Sequence, residues 1–217
     1  AGTGRQTSGR SGGDLVVTMS DDSDLEAIGQ HLADSGLIIL AGDALRDGDL
    51  DFAMAASRVT PQAINFMARH GRGLICLGLS QPRAWKLGIT PQNSGEGSDS
   101  GRPFGVSIEA RHGVETGISA HDRAHTIAVA MAPDARAADL VKPGHVFPLI
   151  ADPGGLAKRR STLEAGIALC NRFDLGEGVV LCAILRDDGT MARRADMERF
   201  AAEHNMPIVD IGALDLG

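Results

Sequence analysis

Leu25, Ile28 and Leu32 recur at helical spacing in DSDLEAIGQHLADSG, with Asp and Ser residues to start a helix and Gly36 to stop it. The apolar run LIIL (residues 37–40) then reads as a strand. In TPQAINFMARHG, Thr60 is the expected N-cap, Pro61 the first helical residue and Gly71 the residue just past the end. GLICLGL (73–79) follows as a strand, and FGVSIEA (104–110) resumes extended structure. SAHDRAHTIAVAMA opens with Ser119 and Asp122 at capping-box spacing and continues with the periodicity of a buried helix. STLEAGIALCNRF is similar, capped by Ser161 or Thr162. GVVLCAIL (178–185) is too apolar for either face to meet water, ADMERFAAEH (195–204) is helical, and PIVDI (207–211) is a last strand.

Strands and helices alternate with short hairpin-like stretches between them, and no internal repeat is visible. The pattern predicts an α+β or irregular α/β fold: one domain over residues 14–217, with a mixed sheet covered by helices. Residues 1–13 are Gly, Ser and Arg with almost nothing apolar, a composition that cannot repay the entropy of ordering; they read as a tail or expression remnant. NSGEGSDSGRP (93–103) predicts a mobile loop of the kind that closes over a ligand. No glycine-rich phosphate loop opens a helix. GRGLICLG runs into a strand instead, so it is not a dinucleotide fingerprint.

Charge narrows the partners. The chain of 217 residues has a formal net charge of -7, which argues against holding nucleic acid by general electrostatics. Aromatic content is 3% with no tyrosine, which leaves little to stack on bases. No apolar run approaches a bilayer span, and the N-terminus lacks the charged-then-apolar pattern of a secretory leader. Cys76, Cys170 and Cys182 each lie in apolar segments without the paired spacing of a zinc site, so reduced thiols and a cytoplasmic location are expected.

The concentration of acid directly after LIIL changes the picture. LAGDALRDGDLDFAM carries Asp43, Asp47, Asp49 and Asp51 around Arg46. A carboxylate cluster at a strand end can hold a cation, bind sugar hydroxyls or move protons. The plain alternative is a solvated turn, since Asp and Gly are ordinary turn residues. His121 and His125, at i,i+4 in HDRAH, have a spacing that metals use, but the Asp122 cap favours a plain helix start.

Four segments, RHGRGLICL, GVETGISAHDRAHTI, KPGHVFPLIADPGGL and RDDGTMARRADMERFAAEHNMPIV, resemble in order and separation the 3,4-dihydroxy-2-butanone 4-phosphate synthases. These riboflavin-pathway enzymes convert ribulose 5-phosphate to a four-carbon ketone phosphate and formate. The resemblance runs across roughly residues 23–212 and implies that family's fold, a homodimer with sites near the subunit interface, and Mg²⁺ as cofactor. Its acidic loop resembles this one at Asp43, Arg46, Asp47, Asp49 and Asp51, which implies Asp47 as the metal ligand in place of a glutamate. Asp43, Asp49, Asp51 and Cys76 are the implied catalytic residues. Arg46, Thr116, His145, Arg159 and Thr162 are the implied contacts to a phosphorylated substrate, with Arg159 well suited to forking onto phosphate.

Three positions depart from the family pattern. In RRSTLEA, Thr162 stands where the family has its second metal ligand, a histidine, and Leu163 where it has a substrate-contacting threonine. In LCAIL, Ala183 stands where the family has a catalytic glutamate. A hydroxyl is a poor substitute for imidazole, and a methyl moves no proton. The resemblance with these departures implies enolisation or dehydration of ribulose 5-phosphate or a related phosphorylated keto-sugar, short of full formate release. The alternative is a non-catalytic homologue that binds a ligand or pairs with an active subunit.

Overall fold

The structure is a computed structural model that describes residues 22–92 and 102–214. The tail at residues 1–13 and most of the glycine-rich loop, residues 93–101, lie outside the described residues. Seven helices, α1 (Asp22–Ala33), α2 (Pro61–His70), α3 (Gln81–Lys86), α4 (Ala120–Met131), α5 (Gly155–Lys158), α6 (Thr162–Arg172) and α7 (Arg194–Glu203), are described. They surround one sheet of seven described strands, β1 (Ile38–Asp43), β2 (Asp49–Ala55), β3 (Arg72–Leu79), β4 (Ile108–Ala110), β5 (Leu140–Ile150), β6 (Gly178–Ile184) and β7 (Ile208–Asp210). Their spatial order is β4-β5-β3-β6-β2-β1-β7. The β1/β7 and β3/β5 pairs are parallel and the rest antiparallel, so the sheet is mixed, as the alternating pattern predicts.

Successive strand residues point to opposite faces, and the sheet is buried on both. Leu40, Ala53, Cys76 and Leu181 pack under α1 and α6. Ile39, Phe52, Ile75 and Cys182 pack under α2, α4 and α7. The helix α6 lies close on β6: a Cβ added at Gly166 would sit 2.8 Å from Val179 Cγ2. That approach brings the N-terminus of α6 down onto the ends of β1 and β2.

The helix ends follow the sequence. Thr60 Oγ1 accepts from Ala63 N at 3.1 Å and Pro61 begins α2. Ser161, rather than Thr162, caps α6. Ser119 caps α4, but Asp122 completes no reciprocal box; its carboxylate accepts from the backbone N–H groups of Thr116 and Gly117 instead.

Two strands have no counterpart in the sequence reading. β2 begins inside the acid-rich stretch that resembles a turn. β5 contains Pro143, Gly144 and Pro148, residues that ordinarily argue against a strand. All three thiols are buried, as expected. Among the described residues, no helix is long and apolar enough to cross a membrane.

Phe52 is the centre of the α2/α7 face, fully buried with its ring 5.7 Å from Phe66 and 5.8 Å from Phe200. Phe52→Ala is expected to cost about 3–5 kcal/mol, read as a lowered midpoint in urea unfolding.

Candidate functional site

The β1–β2 hairpin positions the acids. Leu45 N donates to Asp43 Oδ1 at 2.9 Å and Gly48 N to the Asp43 carbonyl at 2.9 Å, folding residues 44–48 into a tight loop. Asp47 (φ 52°) and Gly48 (φ 77°) are both left-handed there, a conformation that Asp and Gly tolerate. The loop turns Arg46 inward and Asp47 outward. The Asp47 side chain is 97% exposed and lies 3.4 Å from Arg193.

Arg46 is the hub. Its guanidinium donates to Asp43 Oδ2 at 2.9 and 3.1 Å, to Asp49 Oδ2 at 3.5 Å, to Asp51 Oδ2, and to Thr162 Oγ1 at 3.1 Å. Arg102 reaches the same centre from the far side, donating to Asp51 at 2.7 and 2.9 Å, with its Nη1 3.9 Å from Cys76 Sγ. Its chain is tied to β5 through the Pro103 carbonyl, which accepts from Ile150 N at 3.0 Å. Arg193 closes the outer edge, donating to Asp49 Oδ1 at 2.8 Å. Thr162 donates its hydroxyl proton to Asp51 Oδ2 at 2.6 Å and its backbone N–H to Asp43 Oδ2 at 3.2 Å. Asp43 thereby satisfies one of the open N–H groups at the start of α6.

Asp51 has no solvent exposure. Burial alone would raise its carboxyl, but the charges of Arg102 and Arg46, with hydrogen bonds from Thr162 and Arg102, outweigh it and hold the group below the usual range. It is therefore an anion at neutral pH and, while so paired, a weak proton acceptor. Burial pushes the Cys76 thiol up to about 12, only partly opposed by Arg102, so it is a neutral thiol rather than a thiolate. Ala183 is the register partner of Asp51 across β2 and β6, which puts its methyl on the same sheet face beside the carboxylate.

Of the sequence-predicted residues, the structure brings together Asp43, Arg46, Asp49, Asp51, Cys76 and Thr162. The Arg159 guanidinium is engaged by the buried Glu164, through Nε at 2.8 Å and through Nη2, because that carboxylate needs a counter-charge. Thr116 and His145 sit in a separate cluster, where His145 Nδ1 lies 2.7 Å from Glu109 Oε2 and Asp122 holds the Thr116 backbone. His121 and His125 start a plain helix, with His125 Nε2 3.0 Å from the His112 carbonyl. Arg102 and Arg193 are absent from the sequence reading. Arg102 is hidden in a segment that reads as a loop, although a lone cation beside proline at the end of a glycine-serine run is a usable signal.

A family model for 3,4-dihydroxy-2-butanone 4-phosphate synthase matches residues 26–215. The chain belongs to that family. It is 46% identical over 191 residues to the riboflavin biosynthesis protein RibBA of Aquifex aeolicus, covering 87% of this chain and 47% of that protein. To the 3,4-dihydroxy-2-butanone 4-phosphate synthase of Neisseria meningitidis serogroup B it is 45% identical over 195 residues, covering 88% and 54%. The chain thus spans about half the length of these curated relatives, whereas it covers 96% of the Chromobacterium violaceum synthase at 37% identity. Among solved structures, a two-domain synthase from A. baumannii superposes with a TM-score of 0.81 at 41% identity, over 86% of this chain and 55% of that one. A synthase solved with two magnesium ions superposes with a TM-score of 0.82 at 31% identity, over 87% and 93%.

The residues present here do not fit the magnesium that the family implies. Mg²⁺ takes six oxygens in near-ideal octahedral geometry and keeps several waters. The cavity between Arg46, Arg102 and Thr162 has a free volume of about 10 Å³, room for roughly one water. Among the described residues, no three His, Cys, Asp or Glu side chains gather closely enough to share one ion.

Two outcomes follow from the ion-pair geometry. Arg102→Ala leaves the buried Asp51 with half its counter-charge and is expected to cost about 3 kcal/mol, measured by denaturant unfolding. Because the folded Asp51 carboxyl lies below the ordinary aspartate value of about 3.9, the unfolded chain takes up this proton first on acidification. Its stabilisation is complete above about pH 4 and is lost as pH falls through the folded value. Asp51→Asn is expected to flatten the dependence of unfolding free energy on pH in that acid window.

Proposed function

We propose that this chain is an enzyme acting on ribulose 5-phosphate or a related phosphorylated keto-sugar, by enolisation and dehydration that stop short of formate release. The observation that supports this reading most directly is the pairing of Asp51 with Ala183 on one sheet face, an ionised carboxylate beside a residue that cannot exchange protons.

Enolisation needs a base beside the substrate carbonyl and donors for the oxygen that gains charge. Asp49 and Asp51 are the candidate bases. The proton leaves the carbon next to the keto group for a carboxylate oxygen, and the electron pair moves onto the carbonyl oxygen, where the guanidinium donors of Arg46 and Arg102 stabilise it. Loss of the neighbouring hydroxyl then takes the proton back from the carboxylic acid and releases water. Later rearrangement needs a further acid or base, and the family's glutamate for that is Ala183 here; such a loss costs roughly a hundredfold or more in rate. In this reading Thr116 and His145 belong to the site through a second copy of the chain, in line with the interface-near sites that the resemblance implies. Arg159 is then a positioning residue that fixes the start of α6 through Glu164.

One observation favours a second reading, a non-catalytic homologue that binds a ligand or pairs with an active subunit: the cleft is filled by its own arginines. Incubation with ribulose 5-phosphate in D₂O, followed by carbon and proton NMR, separates the readings. The expected result is deuterium at the carbon beside the carbonyl without formate. Formate with a four-carbon ketone phosphate would show the full family reaction. Absence of exchange, together with a melting temperature unmoved by the sugar phosphate, would favour the non-catalytic reading.

A further inference from the structure

We infer that Arg46 and Arg102 are the resident cations of this cleft, taking the place of a divalent metal ion, so that the acidic cluster does not take up magnesium. The inference rests on the reading of the cleft as the reaction site and concerns only how its negative charge is balanced.

Three features support it. First, both oxygens of all three carboxylates already accept hydrogen bonds. Asp43 accepts from Leu45 N, Arg46 and Thr162 N; Asp49 from Arg193 and Arg46; Asp51 from Arg102, Arg46 and Thr162. A cation entering this centre must displace fixed donors rather than water. Second, the buried charges balance, since Asp43, Asp49 and Asp51 face Arg46, Arg102 and Arg193. The surplus negative charge, that of Asp47, lies at the exposed rim 3.4 Å from Arg193, and within the cleft little is left to draw a strongly hydrated Mg²⁺ out of water.

Third, Thr162 commits its hydroxyl proton to Asp51 and one lone pair to Arg46, which leaves a metal a single neutral oxygen lone pair where a histidine would present a free nitrogen. The guanidinium groups hold delocalised positive charge in fixed planes and donate several parallel hydrogen bonds. They can meet an oxyanion without first shedding a hydration shell.

The test is magnesium binding by the full chain, followed by thermal unfolding and by titration calorimetry, with sodium chloride at matched ionic strength as the control. A magnesium site held at a hundredfold excess over its Kd raises Tm by roughly 5–10 °C in a chain of this size. The expected result is no shift beyond the salt control and no saturable heat. The double variant Arg102→Ala with Thr162→His removes one resident cation and supplies an imidazole, and is expected to gain a saturable, magnesium-dependent rise in Tm. A saturable rise in the unaltered chain overturns the inference, as does a folded double variant that stays insensitive. If the double variant does not fold, the titration of the unaltered chain decides alone. Magnesium binding there would leave the keto-sugar reading standing, because deuterium exchange tests that reading separately.

Discussion

A carboxylate with no access to water, Asp51, is the constraint on which this end of the molecule depends. An isolated anion so placed is prohibitively costly, and the fold surrounds it with two guanidinium groups and a hydroxyl. Those partners come from three stretches of chain: the β1–β2 hairpin, the segment before β4 and the first residue of α6. Satisfying Asp51 therefore brings together elements far apart in sequence. The same demand explains why Arg46 folds inward from an exposed hairpin tip while Asp47, its neighbour, faces solvent.

Much of the scaffold was legible in the sequence because local chemistry and global position agree. Thr60, Pro61 and Gly71 frame α2 through backbone preferences that need no tertiary partner. The apolar runs 73–79 and 178–185 name the central strands, since only a sheet buried on both faces accepts them. The misses arose where tertiary context overrides local preference. β2 begins with Asp49 and Asp51, residues that propensity assigns to turns, and only arginines from elsewhere make a buried strand start tolerable there. β5 carries two prolines: Pro143 stands outside the registers with β3 and β4, while Pro148 faces Leu77 of β3 and accepts at its carbonyl from Gly105 N.

For the site, residue type located the acids and Thr162, because their signal lies within short motifs. The pairing of Arg159 with the buried Glu164 was not legible, because nothing in the sequence shows that this carboxylate engages its guanidinium. Arg102 was missed because its partner, Asp51, is 51 residues away and nothing local announces the pairing. The family match over residues 26–215 fixes the lineage, while the chemistry inside the cleft is particular to these residues.

The two walls of the cleft are built differently. Asp43 and Asp51 are fastened to the hairpin and to α6 by backbone and hydroxyl bonds, whereas Arg102 belongs to a segment anchored on β5. Across the gap Arg102 meets Asp51 by ionic contact, with its Nη1 lying beside Cys76. Bulk electrolyte screens such sheltered contacts weakly. An oxyanion that competes with Asp51 for the Arg102 fork acts on the pair directly, and in drawing the guanidinium away it raises the proton affinity of the carboxylate left behind. On the proposed reading of the cleft, occupancy by an anionic ligand at Arg102 and the release of Asp51 to take up a proton would be a single event.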